Sequence, residues 1–289
     1  MFLRCATEAL LVLTLAAAEV SHEGYVREVE QWRARHQAKL AAPDGWLTVV
    51  GLDWLKEGQN RVGAAASSEV PLPPYSAPAQ VATISFHAGK AVLDPAPGVA
   101  LKVNGRPAKE TVMREDDDVF TINHLTFYLI RRGNRAGIRL KDQESAARRD
   151  FRGLRWYPID PAWRIRAKFT AWSKPRTLTF DSVIGEPETD DSPGFVTFQK
   201  DGREFRLQPV IDEGQLFFVF RDQTSGKTTY PASRFLYTDM PKDGMVWLDF
   251  NQAENPPCAF TPYATCPLPP PQNRLALSVT AGEEYQGSH

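Results

Sequence analysis

The sequence predicts a mostly β protein, an antiparallel β-sandwich or open barrel of one or two lobes, with an amphipathic helix at its N-terminal end. Three observations point there. The 289 residues include 19 glycines and 23 prolines, which punctuate many short apolar runs as strands and tight turns require. Helical periodicity is confined to one segment near the start. No internal period recurs, which excludes a solenoid or propeller.

Composition narrows the function classes. With 42% hydrophobic and 24% charged residues, the chain can bury one large core or two smaller ones. A formal net charge of -1 provides no broad field that would draw nucleic acid or an anionic membrane. Any partner must therefore be recognised locally, and nucleic acid is not expected.

The first 18 residues read as a secretory signal. Arg4 stands in a short leading region, an apolar stretch follows from Ala9, and Ala16-Ala17-Ala18 supplies small residues for cleavage before Glu19. Nothing later approaches the roughly twenty apolar residues of a membrane span. A periplasmic or secreted protein is the expectation, with residues 19–45 as the helical segment and 46–289 as the β domain. In the helix, Tyr25, Val29, Trp32 and Leu40 recur at helical spacing, and Pro43-Asp44-Gly45 stops it.

After that stop the period becomes that of a strand. Residues 46–55, 80–86, 91–93 and 100–103 read as consecutive antiparallel strands between glycine-containing turns. Residues 119–130 and 136–140 form a further hairpin, whose tip, Arg131 to Arg135, is expected to stay in water. Residues 163–172, 176–183, 194–199, 204–210, 215–221, 245–251 and 274–280 continue the pattern, with Asp201-Gly202 as a tight turn. If there are two lobes, they divide near 141–161, where Trp156-Tyr157-Pro158 interrupts the alternation.

Several segments in this order resemble the bacterial domain of unknown function 1684 (DUF1684) family over nearly the whole mature chain. They include Ala42-Pro43-Asp44-Gly45-Trp46-Leu47, Val50-Gly51-Leu52-Asp53-Trp54-Leu55, Gly137-Ile138-Arg139-Leu140 and Trp156-Tyr157-Pro158. Phe217 to Asp222, Arg234-Phe235-Leu236-Tyr237, Asp249-Phe250-Asn251 and the irregular run from Asn255 to Pro270 complete the set. The resemblance implies no activity, cofactor or catalytic residue. A weaker one, through Asn60-Arg61-Val62-Gly63, Ser76 and Val103-Asn104-Gly105, is to the forkhead-associated sandwich that reads phosphothreonine. Ala64 and Ala79 stand where the phosphate-binding arginine and histidine would be, so only the sandwich is carried over.

Cys258 and Cys266 flank a proline-rich loop and, in an oxidising compartment, suggest a disulfide holding Phe260, Thr261 and Tyr263 exposed or against a pocket. Around that loop, Arg234, Tyr237, Asp249, Asn251, Glu254, Asn255, Tyr263, Asn273 and Arg274 are candidates for binding a small polar molecule or envelope component. The competing reading has the asparagines satisfying loop backbone and the arginines pairing with Asp249 or Glu254.

No nucleophile motif, metal motif or cofactor fingerprint occurs, and no cofactor or metal is expected. His36 is assigned to the surface of the helix, His87 and His124 to packing or solvent. Asp116-Asp117-Asp118 reads as a solvated turn, and most tryptophans as core. Whether the protein is an enzyme stays open. The expected function is small-ligand binding in the cell envelope. Its alternatives are an extracytoplasmic hydrolase using Asp249, Glu254 and Arg274, and a structural or interaction module.

Overall fold

The computed structural model describes residues 22–115, 117–185, 187–285 and 287. The expected signal segment, Asp116 and His289 lie outside them. Among the described residues no helix is long and apolar enough to cross a membrane.

The predicted helix is present as α1, His22–Leu40. It ends at the expected turn, where Gly45 N–H reaches Ala42 O at 2.9 Å. A Cβ on Gly45 would stand 2.3 Å from Leu40 O, so only glycine lets the chain double back this closely.

Eleven strands follow in the first half. They are Val49–Trp54 (β1), Gly58–Gly63 (β2), Val70–Pro71 (β3), Ala82–His87 (β4), Lys90–Pro95 (β5), Lys102–Val103 (β6), Arg106–Pro107 (β7), Thr111–Val112 (β8), Phe120–Ile122 (β9), Leu125–Arg132 (β10) and Arg135–Asp142 (β11). They form two sheets, ordered β1-β11-β10-β9-β6-β7 and β3-β2-β4-β5-β8. The facing sides interlock through Phe120, Leu125, Phe127, Leu129 and Ile138 from one sheet and Val62, Ile84 and Leu93 from the other, all fully buried. This is the alternation a sandwich demands.

The second half begins at α2, Ala146–Arg149. Its strands are Arg164–Phe180 (β12), Glu188–Lys200 (β13), Arg203–Leu207 (β14), Val210–Asp212 (β15), Gln215–Phe220 (β16), Arg234–Thr238 (β17) and Met245–Asp249 (β18). The sheet β14-β13-β12-β18 packs on β15-β16-β17, burying Ala167, Val196, Phe198, Leu216, Phe218, Leu236 and Leu248. A third apolar cluster covers the other face of the small sheet, joining Val219 and Phe235 to Leu178, Phe180, Ala264 and Cys266. No sheet closes into a barrel among the described residues.

Several expectations need correction. Residues 163–172 and 176–183 are not two strands but one long strand, β12, whose pairing shifts register between Ala171 and Arg176. Residues 119–130 are interrupted by a turn at Asn123, which takes a positive φ of 53°. The guanidiniums of the β10–β11 tip are held rather than loose in water: Arg132 meets Glu188 at 3.2 Å, and Arg135 lies 3.9 Å over Trp54. Trp247 is 49% exposed and not core.

Residues 274–280 show strand-like alternation, with Leu275, Leu277 and Val279 buried, yet form no strand. The carbonyls of Val279 and Ala281 are taken by the Arg234 guanidinium instead of by a neighbouring strand.

Candidate functional site

The predicted site residues divide into those that hold the fold and those that gather around a cleft. Arg234 is fully buried on β17 and pairs with Asp222 at 3.0 Å, not with Asp249 or Glu254. Its remaining bonds go to the tail carbonyls, so its role is to replace a missing strand neighbour. Asn273, also fully buried, donates to Gln208 O and Val219 O and accepts from Gln208 N–H at 2.8 Å. Arg274 is exposed, with a backbone bridge to Arg221. Tyr237 donates to Asp212 at 3.1 Å and stacks on Phe217. Burial and the charge of Asp212 push its phenol pKa up.

Asp249 and Asn251 lie under the start of α1. Tyr25 Oη donates to Asp249 Oδ1 at 2.8 Å, and Asn251 Nδ2 donates to Tyr25 Oη and to Asp160 O. Burial raises the pKa of Asp249, and the bonds from Tyr25 and Asn251 oppose that rise. Among the described residues, no hydrogen bond or ion pair links Asp249, Glu254 and Arg274, the trio assigned to hydrolysis.

One helical turn or more along α1, the structure assembles a cluster that sequence reading missed. His36 is not on the open surface. Its Nδ1 lies 3.0 Å from Glu254 Oε2 and its Nε2 3.4 Å from Glu283 Oε2. Trp32 stacks on the imidazole at 5.3 Å, with Trp156 edge-on at 5.9 Å. Arg33 lies 4.7 Å over Trp156 and donates to Tyr157 O at 3.1 Å.

Burial alone would lower the imidazole pKa, but the bonds and charges of the two glutamates outweigh it and raise it to about 9. His36 is therefore an imidazolium at neutral pH, a counter-ion and not a base. Glu283 has its pKa raised by burial, against the pull of His36 and Asn255.

The tail that carries Glu283 is fixed on both sides. Tyr157 N–H bonds to Gly282 O, Glu284 N–H to Arg155 O, and Glu283 N–H to Ala253 O. Gly282 has a φ of 81°, and a Cβ there would meet Ala253 O at 2.4 Å, so this junction requires glycine. Asn255 completes the floor: its N–H and Nδ2 both donate to Glu283, at 3.1 and 2.9 Å. Asn255 Oδ1, buried, has no hydrogen-bond partner among the described residues.

Above this floor lies a cleft of about 350 Å³. Residues 150–155 form one wall, Ala259, Phe260 and Leu47 another, and Glu284 and Tyr285 the third. The Cys258 to Cys266 loop thus places Phe260 on the cleft, as expected. Thr261, expected to be exposed or pocket-lining, is instead buried and donates to Val49 O at 3.0 Å. Tyr263 is 38% exposed and points to no described partner side chain. The two cysteine Cα atoms are 6.2 Å apart, within disulfide span.

The signal for His36 was in the sequence, since it follows Val29 by seven residues and Trp32 by four, on the buried stripe. Glu283 carried no such signal.

The remaining histidines and acids have local roles. His87 lies 3.0 Å from Glu57 on the surface. Asp118 is not a solvated turn residue: it is buried and accepts from Arg114 N–H and its guanidinium. On β2, Arg61 is paired with Glu69 at 2.9 Å, and ahead of β4, Ser76 donates to Pro73 O at 2.6 Å.

The sequence profile of DUF1684, described as a protein of unknown function, matches residues 149–284. That stretch is the second sandwich with its tail, shorter than the span of the motifs quoted above. A solution structure of an uncharacterized protein of Haloarcula marismortui is 33% identical, over 49% of this chain and 81% of that one, at a TM-score of 0.41. A phosphothreonine-dependent forkhead-associated domain is 21% identical over 32% of this chain and 96% of its own, at a TM-score of 0.24. The second such domain of a Mycobacterium tuberculosis ABC transporter is 22% identical over 26% and 70%, also at 0.24. No curated protein matches.

Proposed function

We propose, from the geometry of its own cleft, that the protein binds a small polar molecule between residues 150–155 and the 283–285 tail; the DUF1684 profile that matches residues 149–284 names no activity. One observation carries this reading: the cleft sets the apolar Phe151, Phe260 and Tyr285 beside the polar Arg152, Asn255 and Glu284. A ligand that supplies an N–H or O–H donor suits the partly exposed Glu284 carboxylate. Phe151, Phe260 and Tyr285 supply apolar walls, and the exposed Arg152 on the rim suits an anionic end. The preferred ligand is therefore small, with a donor at one end and an anion at the other.

The same reading places the protein in the periplasm or outside the cell, processed after Ala18, with Cys258 and Cys266 oxidised so that Phe260 is held in place. The short apolar leader and the cysteine spacing support it.

Thermal melting against a panel of amines, amino acids and hydroxylated acids tests the cleft. A true ligand at a hundredfold excess over Kd adds about 2.7 kcal/mol to stability. That gain should vanish in Phe260→Ala and in Arg152→Glu, both of which should melt normally when unliganded. Retention of the gain in both variants would place the site elsewhere.

A further inference from the structure

We propose that the outer face of the four-stranded sheet β14-β13-β12-β18 docks an acidic polypeptide segment in extended conformation. The outward positions of β12 carry Arg164, Arg166 and Lys168, while Arg206 stands on β14 and Arg176 beyond the register shift of β12. Registers join them into one band. Arg166 is opposite Trp247, Lys168 is opposite both Met245 and Thr197, and Thr197 is opposite Arg206.

Arg164 stands opposite Asp249 in the β12–β18 register and feels its charge, whereas Arg166, Lys168, Arg176 and Arg206 have no carboxylate within ion-pair distance among the described residues. Glu204 is the carboxylate on this face of β14, and it accepts from Gln199 at 3.2 Å. In a chain of net charge -1, these four cations are a local concentration of positive charge that no ion pair of the described residues neutralises.

Aromatic rings hold three of the guanidiniums. Arg176 lies 3.7 Å over Trp172, Arg206 lies 3.4 Å over Phe195, and Arg164 lies 5.1 Å over Trp247. A guanidinium stacked by its face keeps its edge donors free and oriented, which suits bidentate capture of a carboxylate. A guanidinium already occupies one face of each of these rings, which makes them poorer platforms for the stacking that single-stranded nucleic acid uses.

Spacing selects the partner's conformation. Arg166 and Lys168 are alternate residues of one strand, so their charges recur about every 6.6 Å. An extended peptide with acidic residues at every second position presents carboxylates at that same interval.

Binding is measured by titrating a synthetic peptide with glutamate at alternate positions into the full chain and following tryptophan fluorescence, at low and at high salt. The glutamate peptide should bind and weaken with salt, and its glutamine counterpart should not bind. Lys168→Glu and Arg206→Glu should each weaken binding about tenfold with unchanged melting, while Arg106→Glu, on the first sandwich, should have no effect. Equal binding of the glutamine peptide, or insensitivity to both sheet substitutions, overturns the proposal. So does tighter binding of a single-stranded oligonucleotide or an acidic polysaccharide at the same residues, because the partner would then be of another class.

Discussion

The two sandwiches solve the same problem by different chemistry. In the first, the cluster between the sheets is built of apolar side chains, with a buried Asn60 satisfied by the nearby backbone of Lys56 and Gly58. In the second, long irregular segments from Phe250 onward run against the sheets, and buried polar side chains take the place of absent strand neighbours. Arg234, Asn251, Asn255, Asn273 and Glu283 are all buried there. Irregular backbone inside a fold must find partners somewhere. The lesson is that the polar residues resembling a binding site around the cysteine loop are largely the cement of that irregular segment, and only a subset opens onto a cleft.

This contrast can be broken or sharpened by experiment. The largest effect is expected from Arg234→Leu, which strands Asp222 without its counter-ion and frees two tail carbonyls. It should cost about 4 kcal/mol in urea unfolding. In the first sandwich, Leu129→Ala should cost about 3.5 kcal/mol through its cavity alone, without changing ligand-induced stabilisation at the cleft. If Arg234→Leu proves the milder of the two, the second sandwich does not depend on its buried ions.

The His36 cluster gives a pH signature that the first sandwich lacks. Because the folded imidazole pKa is raised from 6.5 to about 9, its contribution is fully present below pH 6.5 and lost as pH rises through about 9. At 1.36 kcal/mol per unit this approaches about 3 kcal/mol. Denaturation midpoints across that window should fall for the natural chain and stay flatter for His36→Asn. A natural chain with flat midpoints would contradict the imidazolium assignment.

The smallest effect concerns the loop. Reduction of a Cys258 to Cys266 bond should remove about 2.5 kcal/mol in the chain-entropy model. Thiol alkylation with and without reductant, read by mass spectrometry, establishes whether the bond is there, and free thiols in the unreduced protein would remove it from the account.

Much of the fold was legible because it rests on local periodicity. The stripe Tyr25, Val29, Trp32 announced α1, and Asp201-Gly202 announced the β13–β14 turn, where both residues take positive φ. The strand expected over 274–280 failed for a reason that alternation cannot reveal. Its backbone meets residues 221–223 in isolated bonds, and the Val279 and Ala281 carbonyls go to the side chain of Arg234, 45 and 47 residues earlier in the chain. Of the residues around the cleft, Asn255 and Phe260 stand in the proline-rich run that the sequence singles out, whereas His36 reads only as part of a surface helix and Glu283 carries no motif. Glu283 becomes significant only when the tail lies between residues 155–157 and Ala253.

The sequence by itself determined the fold class, the helix and its stop, and the turn positions, since each follows from side-chain period or from backbone conformations open to few residues. Tertiary structure alone decided which polar groups are buried together. Glu254 and Glu283 raise the pKa of His36 against its burial, and burial raises that of Glu283 against His36 and Asn255, effects that arise only after segments distant in the chain have closed around them.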